Sequence, residues 1–236
     1  RITQLPEVES AFVAMDPRNG RIQALVGGFD FQKNKFNHVT QAWRQPGSSF
    51  KPFIYSAALE KGLTPMTVVN DAPLFYSAEQ TGGKPWEPKN YDGQFDGPMS
   101  VRRALAKSKN MVSIRVLQLV GTQSAQEWVS RFGFDPARHP PYLTMALGAG
   151  SVTPLQMATG YAVFANGGHL TAPMLIARVA DTKGQVLQQG VAPALDERPR
   201  QKRASHKITR LQRQNLLLVV MPILIHVLFR RKKLAT

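Results

Sequence analysis

Apolar positions along the chain fall into two different rhythms. Ala11 to Met15 and Arg21 to Val26 are short runs rich in β-branched residues on either side of Asp16-Pro-Arg-Asn-Gly20, a turn-forming string, and together they predict a β-hairpin. From Gly47 the spacing becomes helical through Ile54, Ala57, Ala58 and Leu59. It stops at Gly62, with Pro65 beyond, and predicts a buried helix. Residues 69 to 97 are rich in Gly, Pro, Asn and Asp and predict a long loop or short-strand excursion of the kind that borders sites. Further helices are predicted from Ser100 through Ala106, from Met111 to Leu119 with a stop at Gly121, and from Thr122 to Phe132. Thr153-Pro154 starts another, which runs through Phe164 to Asn166-Gly-Gly168. Pro173 to Asp181, a Thr-Lys-Gly turn and Gln185 to Leu187 read as a second hairpin, and there is no internal repeat.

The pattern changes after Val191, so residues 1 to 190 read as one domain and 191 to 236 as a basic, atypical tail. Charge sharpens that boundary. The chain has 30 Lys/Arg and 15 Asp/Glu, a net of +15, but eleven of the bases and none of the acids fall between Arg198 and Thr236. The first 197 residues therefore carry 19 bases against 15 acids, a net of +4, and the basicity gives no case for a nucleic-acid partner. The tail's apolar run, Leu216 to Phe229, is fourteen residues long and contains Pro222 and His226, whereas a membrane-spanning helix needs about twenty. A basic segment that touches a membrane surface is a second reading of the tail, and an aberrant terminus is the favoured one.

With 236 residues the chain is long enough for a core of ordinary size, and the absence of cysteine excludes disulfides, thiol nucleophiles and thiolate metal sites. His38, His139, His169, His206 and His226 have no zinc-binding spacing, and neither a metal nor another cofactor is expected.

The candidate chemistry lies in Gln45-Pro-Gly-Ser-Ser-Phe-Lys-Pro52. Ser48 stands three residues before Lys51, so a hydroxyl and an amine can share one helix face, and Pro52 is tolerated only in a first helical turn. The free N–H groups at that end can stabilise negative charge beside the serine. A buried lysine near other cations can give up its proton and serve as the base that a serine requires. Alone, Ser-x-x-Lys also suits a capping serine beside a solvated lysine. Ser108-Lys109-Asn110, at the junction of two predicted helices, adds a second hydroxyl and an amide; Ser-x-x-Lys followed by a Ser-Asp-Asn triplet marks β-lactamases and penicillin-binding proteins, although here the middle residue is lysine.

Around these residues Phe12 to Val26, Trp86 to Gly93, Gly97 to Asn110 and Met145 to Gln156 resemble the transpeptidase domain of class A penicillin-binding proteins, closest to the bifunctional 1A-like members, from about Leu5 to about Gln189. The resemblance implies an α+β transpeptidase fold shared with serine β-lactamases, with an antiparallel sheet and a mainly helical subdomain. It implies peptidoglycan D,D-transpeptidation, in which Ser48 attacks the penultimate D-alanine carbonyl of a stem peptide and Lys51 accepts its proton. Ser108 would relay a proton to the leaving D-alanine, and Asn110 would hold the substrate amide and orient Lys51. β-Lactams would acylate the same serine, and the expected location is the periplasmic face of the bacterial inner membrane. Trp86 and Tyr91 are candidates to line the substrate cleft or to pack under the loop.

The family's third motif, Lys-Thr-Gly, does not occur. Thr182-Lys-Gly184 has the wrong order and Lys207-Ile-Thr209 lacks the glycine. The expectation is a piece of a longer product, lacking the C-terminal strands and upstream glycosyltransferase domain of class A proteins, with impaired activity. A serine β-lactam hydrolase and a non-catalytic cell-wall or membrane interaction fragment are the alternatives.

Overall fold

The computed structural model of the protein describes residues 8–81 and 83–190. The expected tail, 191 to 236, lies outside the described residues. In chain order the regular elements are β1 (Phe12–Met15), β2 (Ile22–Val26), α1 (Lys51–Glu60), β3 (Val68–Asp71), α2 (Ala78–Thr81), β4 (Gly97–Ser100) and α3 (Val101–Ala106). They continue with α4 (Asn110–Val120), α5 (Thr122–Ser130), α6 (Pro154–Ala165), β5 (Arg178–Ala180) and β6 (Val186–Gln189). Single 3₁₀ stretches cover Gly47–Phe50, Pro136–Arg138 and Leu143–Leu147. The described strands form three antiparallel pairs, β1 with β2, β3 with β4 and β5 with β6. The chain forms two compact units, considered separately below.

The first unit takes in residues 8–44, 132–134 and 152–190. Its β1–β2 hairpin pairs Phe12 with Val26 and Ala14 with Ala24, with a register shift between Ala14 and Met15. The turn is built on Asp16, whose carboxylate accepts from Arg18 N and, at 2.9 Å, from Arg18 Nη2. Those hydrogen bonds hold the Asp16 pKa down at about 2. Gly20 has φ +74, and a Cβ there would stand 2.0 Å from Ala172 O, so glycine alone lets the second edge approach. Met174 then exchanges backbone bonds with Gly20 and Ile22 at 2.7 and 2.9 Å. Helix α6 begins with a complete capping box: Gln156 N donates to Thr153 Oγ1 while Gln156 Oε1 accepts from Thr153 N. At its far end Asn166 Nδ2 donates to Pro17 O and His169 O, tying the helix end to the hairpin turn.

The second unit takes in the described residues of 45–131 and 135–151 and is mainly helical. Helix α1 is apolar on nearly all sides, which suits a central position, and Phe53, Ile54 and Ala58 are fully buried. It packs on α4, which contributes Met111, Val112, Ile114, Val116 and Leu117, all fully buried, and on α5, whose Trp128 donates Nε1–H to Ser56 Oγ at 2.8 Å. Its C-terminus closes as a Schellman turn, with Leu63 N on Ala58 O and Gly62 N on Leu59 O, and Gly62 takes φ +96. The predicted loop 69 to 97 is more ordered than composition implies. Its ends pair as β3 and β4, Tyr76 and Trp86 form a backbone bridge, and Arg115 from α4 reaches the carbonyls of Ala72 and Pro73.

Candidate active site

The start of α1 departs from the expected single helix. Gly47 to Phe50 make a 3₁₀ turn that runs into α1 at Lys51, with Pro52 in the first turn. A 3₁₀ turn eclipses residues three apart, so it aligns position 48 with position 51 more closely than an α-turn would. The turn is anchored by Gly47 N, which donates to Gly148 O at 3.2 Å. A Cβ on Gly148 would stand 2.1 Å from Gly47 O, so a side chain at 148 would displace the backbone that starts the turn.

The two adjacent serines differ in environment. Ser49 is buried and donates its hydroxyl to Pro46 O at 2.5 Å, whereas Ser48 is half-buried and its Oγ makes no hydrogen bond among the described residues. Between them, Ser48 has the hydroxyl available to a substrate.

Lys51 is 1 % exposed, and its Nζ donates to three oxygens: Ser108 O at 2.6 Å, Ser108 Oγ at 3.1 Å and Asn110 Oδ1 at 2.7 Å. These acceptors favour the ammonium, yet burial dominates and lowers the Lys51 pKa to about 7. Burial, rather than the expected neighbouring cation, is the cause. The amine is therefore close to half-neutral near pH 7, the state a general base must reach.

Ser108 lies between α3 and α4 with φ +54, the one positive φ outside glycine among the described residues. This conformation is strained for a residue with a Cβ. It belongs to the tight turn that directs both the carbonyl and the hydroxyl of Ser108 at Lys51. Asn110, the first residue of α4, donates Nδ2–H to Lys89 O at 2.8 Å, leaving Oδ1 facing the amine.

The structure thus brings Lys51, Ser108 and Asn110 into direct contact and carries Ser48 on the turn before Lys51. Of the two aromatic candidates, Tyr91 directly follows Asn90, whose Oδ1 accepts from Asn110 N. Trp86 stacks on Tyr76 with ring centroids 5.4 Å apart, and Tyr91 is 91 % exposed. The reading of the sequence missed three buried polar residues behind the site, Asp71, Asn90 and Lys109. The lysine standing where the triplet usually has aspartate was the available signal. Among the described residues no group of three or more His, Asp or Glu is arranged to hold a metal ion.

A serine at a helix start, a buried lysine three residues on and a hydroxyl and amide on that lysine are the groups that serine–lysine acyl transfer requires. Comparison with known proteins gives the family. Residues 10–220 match the penicillin-binding protein transpeptidase domain, and the chain belongs to that family. Its fold is that of the penicillin-binding proteins.

Penicillin-binding protein 1A of Neisseria flavescens is 50 % identical over 188 residues, which are 80 % of this chain and 24 % of that protein. The protein of the same name from Vibrio cholerae is 50 % identical over 186 residues, 79 % of this chain and 22 % of its own length. The crystal structure of penicillin-binding protein 1A from Haemophilus influenzae superposes with a TM-score of 0.77 at 45 % identity, covering 80 % of this chain and 28 % of that one. The chain thus spans about a quarter of the length of the curated relatives it matches.

Proposed function

We propose that this chain carries the acyl-transfer half-site of a peptidoglycan D,D-transpeptidase, with Ser48 as nucleophile and Lys51 as its base. The observation that carries the reading is the buried Lys51 amine, with its pKa lowered to about 7, held on Ser108 and Asn110 one 3₁₀ turn beyond the half-buried Ser48. Ser48 Oγ attacks the carbonyl carbon of the penultimate D-alanine and gives its proton to the neutral Lys51 amine. As the tetrahedral intermediate collapses, the C–N bond breaks and the proton returns through Ser108 Oγ to the leaving D-alanine nitrogen. Asn110 orients the lysine and the substrate amide. The amine of a second stem peptide then attacks the acyl-Ser48 ester, forming the cross-link and freeing the serine. A β-lactam enters the same path through its ring carbonyl and stays on Ser48.

The N-terminal N–H groups of the 3₁₀ turn and α1 support stabilisation of the oxyanion, but no Lys-Thr-Gly stands in the sequence to supply the facing strand. Loss of one oxyanion donor costs about 10² to 10³ in rate, so penicillin acylation of this chain is expected to be at least about a hundredfold slower than in a relative that has the motif. The family also supports work at the periplasmic face of the inner membrane. No helix among the described residues is long and apolar enough to cross a membrane.

The test is labelled penicillin followed by peptide mass spectrometry. The adduct is expected on Ser48, abolished by Ser48→Ala and kept by Ser49→Ala; an adduct on Ser49, or acylation at a rate ordinary for relatives with the third motif, overturns the corresponding part of the reading.

A further inference from the structure

Behind the site, three buried polar side chains form a network that never touches Lys51. Asp71, at the end of β3, is 0 % exposed. Its two oxygens accept from Asn90 Nδ2 at 2.8 and 3.1 Å, and Oδ2 also accepts from Asp96 N at 2.9 Å. Lys109 Nζ lies 3.3 Å from the same Oδ2, 3.2 Å from Asp92 and 3.4 Å from Asp96, with Gln94 O accepting at 3.2 Å. Lys109 is 3 % exposed. Burial, the largest single influence, pushes its pKa down, but the hydrogen bonds and charges of Asp92 and Asp71 outweigh it and the net displacement is upward. It is the opposite of Lys51: a buried lysine held charged.

Asn90 joins this ionic cluster to the catalytic turn. Its Nδ2 is occupied by Asp71 and by Gln94 O, so its Oδ1 is left to accept from Asn110 N at 2.7 Å and Met111 N at 3.3 Å, the first two N–H groups of α4. Helix α4 needs that help, since its N-cap position is Lys109, which offers no side-chain acceptor. Asn90 is thus an N-cap supplied from twenty residues upstream. Immediately before the cap stands Ser108 with φ +54, a conformation that persists only where its surroundings over-determine it. The residue after Ser108 is fastened by the ion pairs of Lys109, and the next by the Asn90 bond to Asn110 N.

We propose that Asp71, Asn90 and Lys109 are a positioning unit that holds the Ser108–Asn110 turn against Lys51 and thereby sets the acylation rate of Ser48 without contacting substrate. The inference rests on the serine–lysine reading of the site. Removing the Lys109 charge leaves Asp71 buried without its cation and frees the turn to relax. A misplacement of about 1 Å at a reacting group costs roughly 10² in rate.

The experiment uses the full chain with Lys109→Met, which keeps the stem and removes the charge, and Lys109→Arg, which keeps the charge. Three readouts are taken: labelled-penicillin acylation, the NMR titration of the Lys51 side chain in lysine-labelled protein, and amide hydrogen exchange of the unaltered chain. The expected result is roughly 10²-fold slower acylation in Lys109→Met, lost from the rate at saturating penicillin rather than from half-saturation. The Lys51 titration moves with it, and Lys109→Arg keeps most of the rate. A folded Lys109→Met that acylates like the unaltered chain with an unmoved Lys51 titration overturns the proposal. If the unaltered chain forms no adduct, the acyl-transfer reading fails, while the Lys51 titration in Lys109→Met still decides for or against the positioning unit. If Lys109→Met does not fold, exchange decides: Asn110 and Met111 amides as slow as that of Ile114 support the unit, and amides that exchange like open loop refute it.

Discussion

Leu117 on α4 and Leu187 on β6 are the same residue in opposite circumstances: the first is fully buried, and the second is largely exposed on a hairpin whose strand residues are all exposed. The difference extends to polar groups. The region around α1 and α4 buries Lys51, Asp71, Asn90, Lys109 and Ser113, and each has hydrogen-bond partners, so rotamers and backbone are determined by many neighbours at once. The β5–β6 hairpin is held by backbone pairing and by the turn at Asp181, whose carboxylate accepts from Lys183 N and Gln185 N. A site that depends on tenths of an ångström belongs in the first region and not in the second. Its sensitivity to substitution should follow.

The largest break in that comparison is expected at Lys51. Replacing it with Met keeps the stem and removes the base, and labelled-penicillin acylation should fall about 10² to 10⁴-fold, the usual contribution of a general base. A smaller effect is expected from the core itself. Leu117→Ala leaves a cavity in the core around α4 and should lower stability in urea titration by about 2–5 kcal/mol.

Acid should also act through the helical unit. His139 is buried with its ring stacked on Phe50, centroids 4.7 Å apart, and burial lowers its pKa to about 4. The unfolded chain binds that proton near the ordinary 6.5, so the contribution of neutral His139 is complete above about pH 6.5 and is lost as pH falls towards 4. Melting temperature against pH should therefore drop across that window, and His139→Gln should flatten the drop. The smallest change is expected on the hairpin, where Leu187→Ala should shift stability by no more than about 0.5 kcal/mol, as exposed positions generally do. A loss there as large as that of Leu117→Ala would show that β6 is covered by another surface in solution.

The elements whose determinants are local were legible in the sequence. The hairpin around Asp16 to Gly20, the stop at Gly62, the cap at Ser100 and the start at Thr153-Pro154 all depend on residues within a few positions of each other. Spacing and resemblance also singled out Ser48, Lys51, Ser108 and Asn110, and the last three meet in the fold. Tertiary causes were not legible. The 3₁₀ start of α1 depends on Gly148, about a hundred residues away, and the loop from 69 to 97 is ordered by Arg115 and by the Asp71–Lys109 cluster, whose ion pairs span thirteen to thirty-eight positions. Asn90 could not be recognised as a cap, because a capping residue supplied from twenty positions upstream leaves no local pattern. The stacking of Trp86 on Tyr76 and the exposure of Tyr91 likewise left no local pattern to read.

If burial makes Lys51 the base for Ser48, acylation must follow the protonation of that amine. The second-order rate of adduct formation on Ser48, followed with labelled penicillin from pH 5 to 9, should rise as the buried amine loses its proton, bend near the Lys51 pKa of about 7 and level off above it. A rate that is flat across that range, or that is still climbing at its upper end towards the ordinary 10.5 of a solvated lysine, would show that Lys51 is not that base.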